Sequence, residues 1–147
     1  MGCKGTVTRY HNTKKQGTLY ETIFISECLS RGLHPHDTIG DYLQHDTLVM
    51  NDAGKVFKVQ VKGTESPCTQ GRRIPRYRIT AKTGTRRAQK MLDCTKVDIL
   101  AAHVGPTNTW YLIPCLKISK FSVWLFPDNP KSKAQYEGYK ENWECFF

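Results

Sequence analysis

Apolar positions recur along the chain in two rhythms. From Thr18 onward Leu19, Tyr20, Ile23, Phe24, Cys28 and Leu29 follow one another at three- and four-residue steps, the period of one helix face. Thr18 with Glu21 three residues on reads as a capping box, and Gly32 ends the run. His34-Pro35-His36 through Gly40 reads as a loop, since Pro35 disfavours helical geometry in the residue before it. From Tyr42 to Met50, and again from Val56 to Thr64, residues alternate or are β-branched, with Asn51-Asp52-Ala53-Gly54 as a turn between them. This predicts an antiparallel hairpin.

Facing residues of a hairpin have position numbers of constant sum, and a turn centred on residues 52 to 53 sets that sum near 106. Asp46 then faces Gln60, Leu48 faces Lys58 and Met50 faces Val56, with Lys62 further along the same side. Thr47, Val49, Phe57, Val59 and Val61 take the other side as core. A third strand is predicted at Arg76 to Lys82, with Arg76, Arg78, Thr80 and Lys82 on one side and Tyr77, Ile79 and Ala81 on the other. Thr85 to Leu92 reads as a short basic helix. Val97 to Val104 and Trp110 to Ile118 read as two more strands, and Lys131 to Trp143 as a helix on the spacing of Tyr136, Tyr139 or Lys140, and Trp143. Residues 1 to 17 read as a polar, basic arm, and 119 to 147 as a C-terminal extension of one domain spanning 1 to 147.

A chain of 147 residues with 39% hydrophobic residues is long enough to bury one core without staples. Its longest apolar runs fall far short of the roughly 20 residues that cross a bilayer, so no membrane partner is expected. Without a secretory leader pattern the expected location is intracellular and cytoplasmic, although Met1-Gly2-Cys3-Lys4-Gly5-Thr6 also fits the loose myristoylation pattern. Six evenly spread cysteines, with no CxxC pair, then read as reduced thiols packed as small apolar residues.

Charge sharpens this picture. Between Lys55 and Lys90 there are 11 basic residues and one acid, Glu65, whereas the rest of the chain is close to neutral. One segment carries the whole excess of +9, as expected of a surface that meets a polyanion. Arg72, Arg73, Arg76 and Arg78, with Lys82, are the candidates to lie on a duplex beside the hairpin, and Lys55, Lys58, Arg86, Arg87 and Lys90 to position its phosphates, with Lys15 a further DNA-binding candidate. Double-stranded DNA is the leading partner.

Asp46, then 13 intervening residues, then Gln60-Val61-Lys62, placed on one face by the hairpin register, resembles the PD-(D/E)XK nuclease core. Together with Lys15-Gln16-Gly17, Glu21 and Gly40-Asp41, the pattern is most similar to compact homing endonucleases associated with group I introns, and more distantly to archaeal-type Holliday junction resolvases. The resemblance implies an α/β fold built on an αβββαβ mixed sheet flanked by helices. It implies magnesium, replaceable by manganese, held by Asp46 and Gln60 with help from Glu21, and a Lys62 that contacts the scissile phosphate or attacking water. It also implies a homodimer or homotetramer. Gln60 departs from the commonest pattern, where Glu or Asp stands, and brings an oxygen ligand without charge.

The chemistry supports that assignment independently. Phosphodiester hydrolysis needs positioned water and neutralised phosphoryl charge, which a metal with hard oxygen ligands supplies. Magnesium is satisfied by one or two carboxylates plus carbonyl oxygens such as that of Val61. Lys62 is a compact cation suited to phosphate or hydroxide. The expected function is therefore a magnesium-dependent endonuclease acting at a specific double-stranded DNA target, with a junction resolvase or a non-catalytic basic DNA-binding protein as alternatives. His34 and His36 lack a third ligand, and Asp93 and Asp98 are expected to make structural hydrogen bonds.

Overall fold

The computed structural model describes residues 13–84 and 87–147. The long helix α1 runs Thr13–Ser30, and the strands β1 (His34–Asp37), β2 (Thr47–Met50), β3 (Val56–Thr64), β8 (Ile99–Val104) and β9 (Thr109–Pro114) form a five-stranded sheet in the order β1-β2-β3-β8-β9. A second sheet has the order β10-β5-β4, from β10 (Ser122–Leu125), β5 (Arg76–Thr80) and β4 (Pro67–Cys68). β6 (Lys82–Thr83) and β7 (Lys90–Met91) pair as a small ribbon.

The hairpin forms in the expected register: Thr47 faces Val59, Leu48 faces Lys58, Val49 faces Phe57 and Met50 faces Val56. Val49, Phe57, Val59 and Val61 lie in a core with Tyr20, Phe24 and Cys28 of α1 and with Trp110, Trp143 and Phe146. β8 runs parallel to β3 and is buried on both faces, as a central strand should be. Ile99 and Ala101 of β8 join the α1 core, whereas Leu100, Ala102 and Val104 join a second core against Tyr77, Ile79, Val123 and Leu125.

Several expectations are corrected. The helix is already formed at Thr13, so residues 13–17 are no mobile arm, and Thr18 is not its cap: Thr18 Oγ1 donates to Lys14 O inside the helix. The rest of the arm, with the myristoylation pattern, lies outside the described residues. His34 to Asp37 is an edge strand and no loop; Pro35 lacks an N–H, which an edge tolerates. The expected meander thus exists one strand earlier, as β1-β2-β3. Only Thr47 to Met50 of the longer expected strand pairs with β3. The strand at Arg76 belongs to the second sheet, because alternation fixes which residues share a face but not which neighbour they pair with.

The expected basic helix at 85–92 is absent among its described residues, where Lys90–Met91 pairs with β6; Thr85 and Arg86 lie outside the description. The flanking second helix of the αβββαβ pattern is therefore replaced by small sheets between β3 and β8. The 131–143 helix is also absent, and 3-10 turns occur at Glu137–Tyr139 and Trp143–Phe146 instead. Tyr136 packs in the second core and Trp143 in the first, so one helix face could not have buried both. Cys94 and Cys115 form a disulfide and Cys68 is disulfide-bonded as well, so these three are not the reduced thiols expected; among the described residues Cys28 and Cys145 are free. Among the described residues no helix is long and apolar enough to cross a membrane.

Glutamates tie this C-terminal segment down. Glu141, in the left-handed region at φ 52°, accepts the Trp110 N–H at 2.8 Å and the Trp143 Nε1–H at 2.7 Å. Glu137 accepts the Phe126 N–H at 2.7 Å and the Tyr111 hydroxyl at 3.0 Å. Glu141→Ala strands two donors of buried residues and should cost about 2 kcal/mol in chemical denaturation, whereas an unchanged midpoint would show that the clasp carries no stability.

Candidate active site

At Asp46 strand β2 leaves the ladder. The Asp46 N–H donates to Val59 O at 2.8 Å, and its carboxylate Oδ2 accepts the Val61 N–H at 2.8 Å, so a side chain holds the amide that the departing strand no longer reaches. Gln60 lies on β3 just past the last paired position, Thr47 with Val59. It is 8% exposed; its Nε2 donates to Gln44 O at 3.0 Å, and its Oε1 is buried with no donor. Asp46 Oδ1 likewise has no donor among the described residues. Lys62 follows two residues along β3 and is half-buried.

Glu21 lies mid-helix on α1, where it shares a cleft of about 420 Å³ with Asp46, Asp37, Asp41, Lys14 and the Thr38–His45 loop. Three ionisable groups here are pushed toward their neutral forms. Burial raises Asp46, against the opposing pull of the Val61 N–H and the Lys62 charge. Burial raises Glu21 too, and the carboxylates of Asp46 and Asp37 add to it. Burial lowers Lys62, which Asp46 counters and Lys82 reinforces. Burial of these carboxylates is thus only partly offset by the charges beside them, a deficit that a cation relieves. Among the described residues no three His, Cys, Asp or Glu side chains form a preformed metal cage. Asp46, bonded to the Val61 N–H, and Gln60, the residue before Val61, both carry hard oxygens of the kind magnesium takes when water and substrate complete its shell.

The basic candidates are spread over several elements. Lys15 is exposed on α1, and Lys58 Nζ donates to Thr95 O at 2.6 Å beside a second cleft of about 330 Å³. Arg72 and Arg73 are exposed before β5, Arg76 and Arg78 lie on its outer face, Lys82 is on β6, and Arg87 is exposed after the undescribed Arg86. Asp93 and Asp98 make the structural bonds expected, to Thr95 and to the Lys58 N–H. Sequence reasoning missed Asp37, hidden in a segment too short to show alternation, and Gln44, whose carbonyl fixes the Gln60 amide and whose Oε1 accepts the Asp93 N–H.

A family model for PD-(D/E)XK endonucleases matches residues 11–145. The chain belongs to the PD-(D/E)XK endonuclease family. Among solved structures, a bacterial homing endonuclease, I-Ssp6803I, is similar at a TM-score of 0.77 and 21% identity, covering 91% of this chain and 92% of that one. A Holliday junction resolvase from the archaeon Archaeoglobus fulgidus matches at a TM-score of 0.48 and 12% identity over 77% of this chain and 85% of that one. No curated protein matches. Membership in this PD-(D/E)XK family makes the chain a nuclease by family and DNA its expected substrate, and the I-Ssp6803I likeness extends to the fold.

The carboxylate deficit has a measurable signature. Asp46 and Glu21 bind protons more tightly folded than unfolded, so the stability they contribute is full below the unfolded carboxylate range and is lost as pH rises through their raised values. In EDTA, Asp46→Asn, which keeps an acceptor for Val61, should melt higher than the parent at pH 7, with the gap closing toward pH 4. A parent that melts higher at pH 7 would contradict the deficit.

Proposed function

We propose that this chain is a magnesium-dependent endonuclease that cuts double-stranded DNA at a specific target, as a homing endonuclease does. The observation that carries the reading is that, where β2 leaves β3, one Asp46 carboxylate oxygen takes the Val61 N–H while, among the described residues, its other oxygen and the buried Oε1 of the neighbouring Gln60 have no donor. Asp46 and Gln60 would hold the metal, with the Val61 carbonyl and Glu21 as further oxygen donors; manganese suits the same set. Bound there, the metal would offset phosphoryl charge and make water more acidic.

The chain's own groups do the rest. Val61 N–H fixes the Asp46 carboxylate, and Gln44 O fixes the Gln60 amide so that its oxygen points away from that bond. Lys62, beside Asp46 and partly removed from water, donates to a phosphoryl oxygen or to the attacking water. As the water oxygen bonds to phosphorus, the bond to the leaving sugar oxygen breaks; the water's proton passes to solvent and the leaving oxygen is protonated in turn. The basic groups from Lys15 through Lys58, Arg72, Arg73, Arg76, Arg78, Lys82, Arg86 and Arg87 hold the duplex. One site cuts one strand, so a double-strand break calls for a homodimer or homotetramer.

The test is incubation of purified protein with supercoiled plasmid, mixed genomic DNA and four-way junctions, in magnesium or in EDTA. Discrete, magnesium-dependent duplex products are expected, with Asp46→Ala and Lys62→Ala each lowering the rate by about 100-fold or more. Cutting of junctions alone would favour the resolvase alternative. Binding without cleavage, in magnesium and in manganese, would overturn the nuclease reading.

A further inference from the structure

The outer face of the second sheet holds an arrangement that metal chemistry does not use. In the β5–β10 register Trp124 sits opposite Arg78, and Arg76 shares that face two residues before. The Arg76 guanidinium carbon lies 3.6 Å from the centre of the Trp124 ring, a stacking distance, and that of Arg78 lies 6.0 Å from it. Arg72 lies 6.0 Å from the Phe126 ring, just beyond the same strand. Among the described residues none of these three arginines forms an ion pair. Partial removal from water and the charge of Arg72 both work against the charged form of Arg76. Neighbouring cations are thus held together by aromatic rings alone.

The manner of holding matters. A salt bridge would occupy the N–H edge of a guanidinium, whereas a stack occupies its face and leaves the planar fork of donors free. A ring also restricts the long side chain, so less rotamer freedom is lost when the fork is used. With its face against Arg76, Trp124 is not placed as a platform for an unpaired base. A two-stranded β-ribbon fits the major groove, where the arginine fork matches the O6 and N7 acceptors of guanine. β5 packs against β3, and two residues beyond it Lys82 comes within electrostatic reach of Lys62, so this sheet adjoins the candidate active site.

We propose that Trp124 is a positioning residue for sequence recognition: it holds the Arg76 fork ready, with Arg78 beside it, for a guanine in the major groove of the DNA that the active site cuts. This rests on the endonuclease reading. Trp124 sets which base is preferred at a few positions of the target, while the exposed lysines and arginines elsewhere set overall affinity.

The experiment is selection of bound duplexes from a random-sequence pool, with calcium in place of magnesium to separate binding from cutting. It compares the parent, Trp124→Ala, Trp124→Phe, Arg76→Ala and the Trp124→Ala/Arg76→Ala double variant. The parent should enrich a motif containing guanines. Arg76→Ala and Trp124→Ala should lose preference by about tenfold at the same guanine positions and leave the others intact. The double variant should be no worse than Arg76→Ala, and Trp124→Phe, which keeps an aromatic face, should retain most of the preference. Affinity of Trp124→Ala for an unselected duplex should change by no more than about threefold. If Trp124→Ala does not fold by circular dichroism, Trp124→Leu takes its place, filling the sheet face without a π surface, with the same loss expected.

Preference lost evenly across the motif, an unchanged motif, or additive effects in the double variant would overturn the positioning role. A parent that binds and cuts DNA yet enriches no motif would overturn it while leaving the nuclease reading standing. A parent that neither binds nor cuts duplex DNA would overturn both.

Discussion

The carboxylate of Asp46 stands in for the backbone at the point where two strands part. Its Oδ2 takes the Val61 N–H that the departing β2 no longer meets, at the edge of a cleft against α1. Without that acceptor a buried strand amide would go unpaired, at a cost of about 1–3 kcal/mol, and β2 would gain nothing by leaving. The separation lets the 38–46 loop approach Gln60, whose amide is clamped by Gln44 O. One carboxylate oxygen is spent on architecture, and the other remains for chemistry.

The surrounding packing explains why this arrangement can persist although burial works against all three charges near it. Tyr20, Phe24 and Cys28 seat α1 on the sheet, which fixes Glu21 over the cleft. At Gly63 an added Cβ would lie 2.5 Å from the Tyr20 ring, so the absence of a side chain there allows the helix to come this close. On the opposite face Leu100 and Ala102 carry the second sheet, whose outer face presents Arg76 and Arg78. The folded protein thus spends aromatic and aliphatic burial on holding an electron-rich cleft beside a cationic sheet.

Much of this was legible in the sequence. The turn at Asn51 to Gly54 fixed the hairpin sum for Thr47 through Met50, and with it the inward side of Val59 and Val61, because a strand has period two and a slip of one would have put valines in water. The helical run placed Glu21 on α1. Strand partnership was not legible: Arg76 to Thr80 alternates as well as any strand, but its partners, Ser122 to Leu125, lie more than 40 residues away and show only as an apolar run. Nor was the fate of Tyr136 and Trp143, whose seven-residue spacing fits a helix although they bury on opposite faces of one sheet. The Arg76–Trp124 stack depends on that same distant pairing.

The central claim is that divalent metal binds between Asp46 Oδ1 and Gln60 Oε1. Paramagnetic line broadening by manganese, followed residue by residue in the amide spectrum of isotopically labelled protein, reads this directly. The account predicts that the Val61 and Asp46 amides and the Gln60 side-chain amide broaden first, and that Asp46→Asn abolishes the effect there. Broadening that starts at other carboxylates, such as Glu144 or Asp128, or that survives in Asp46→Asn, would contradict it.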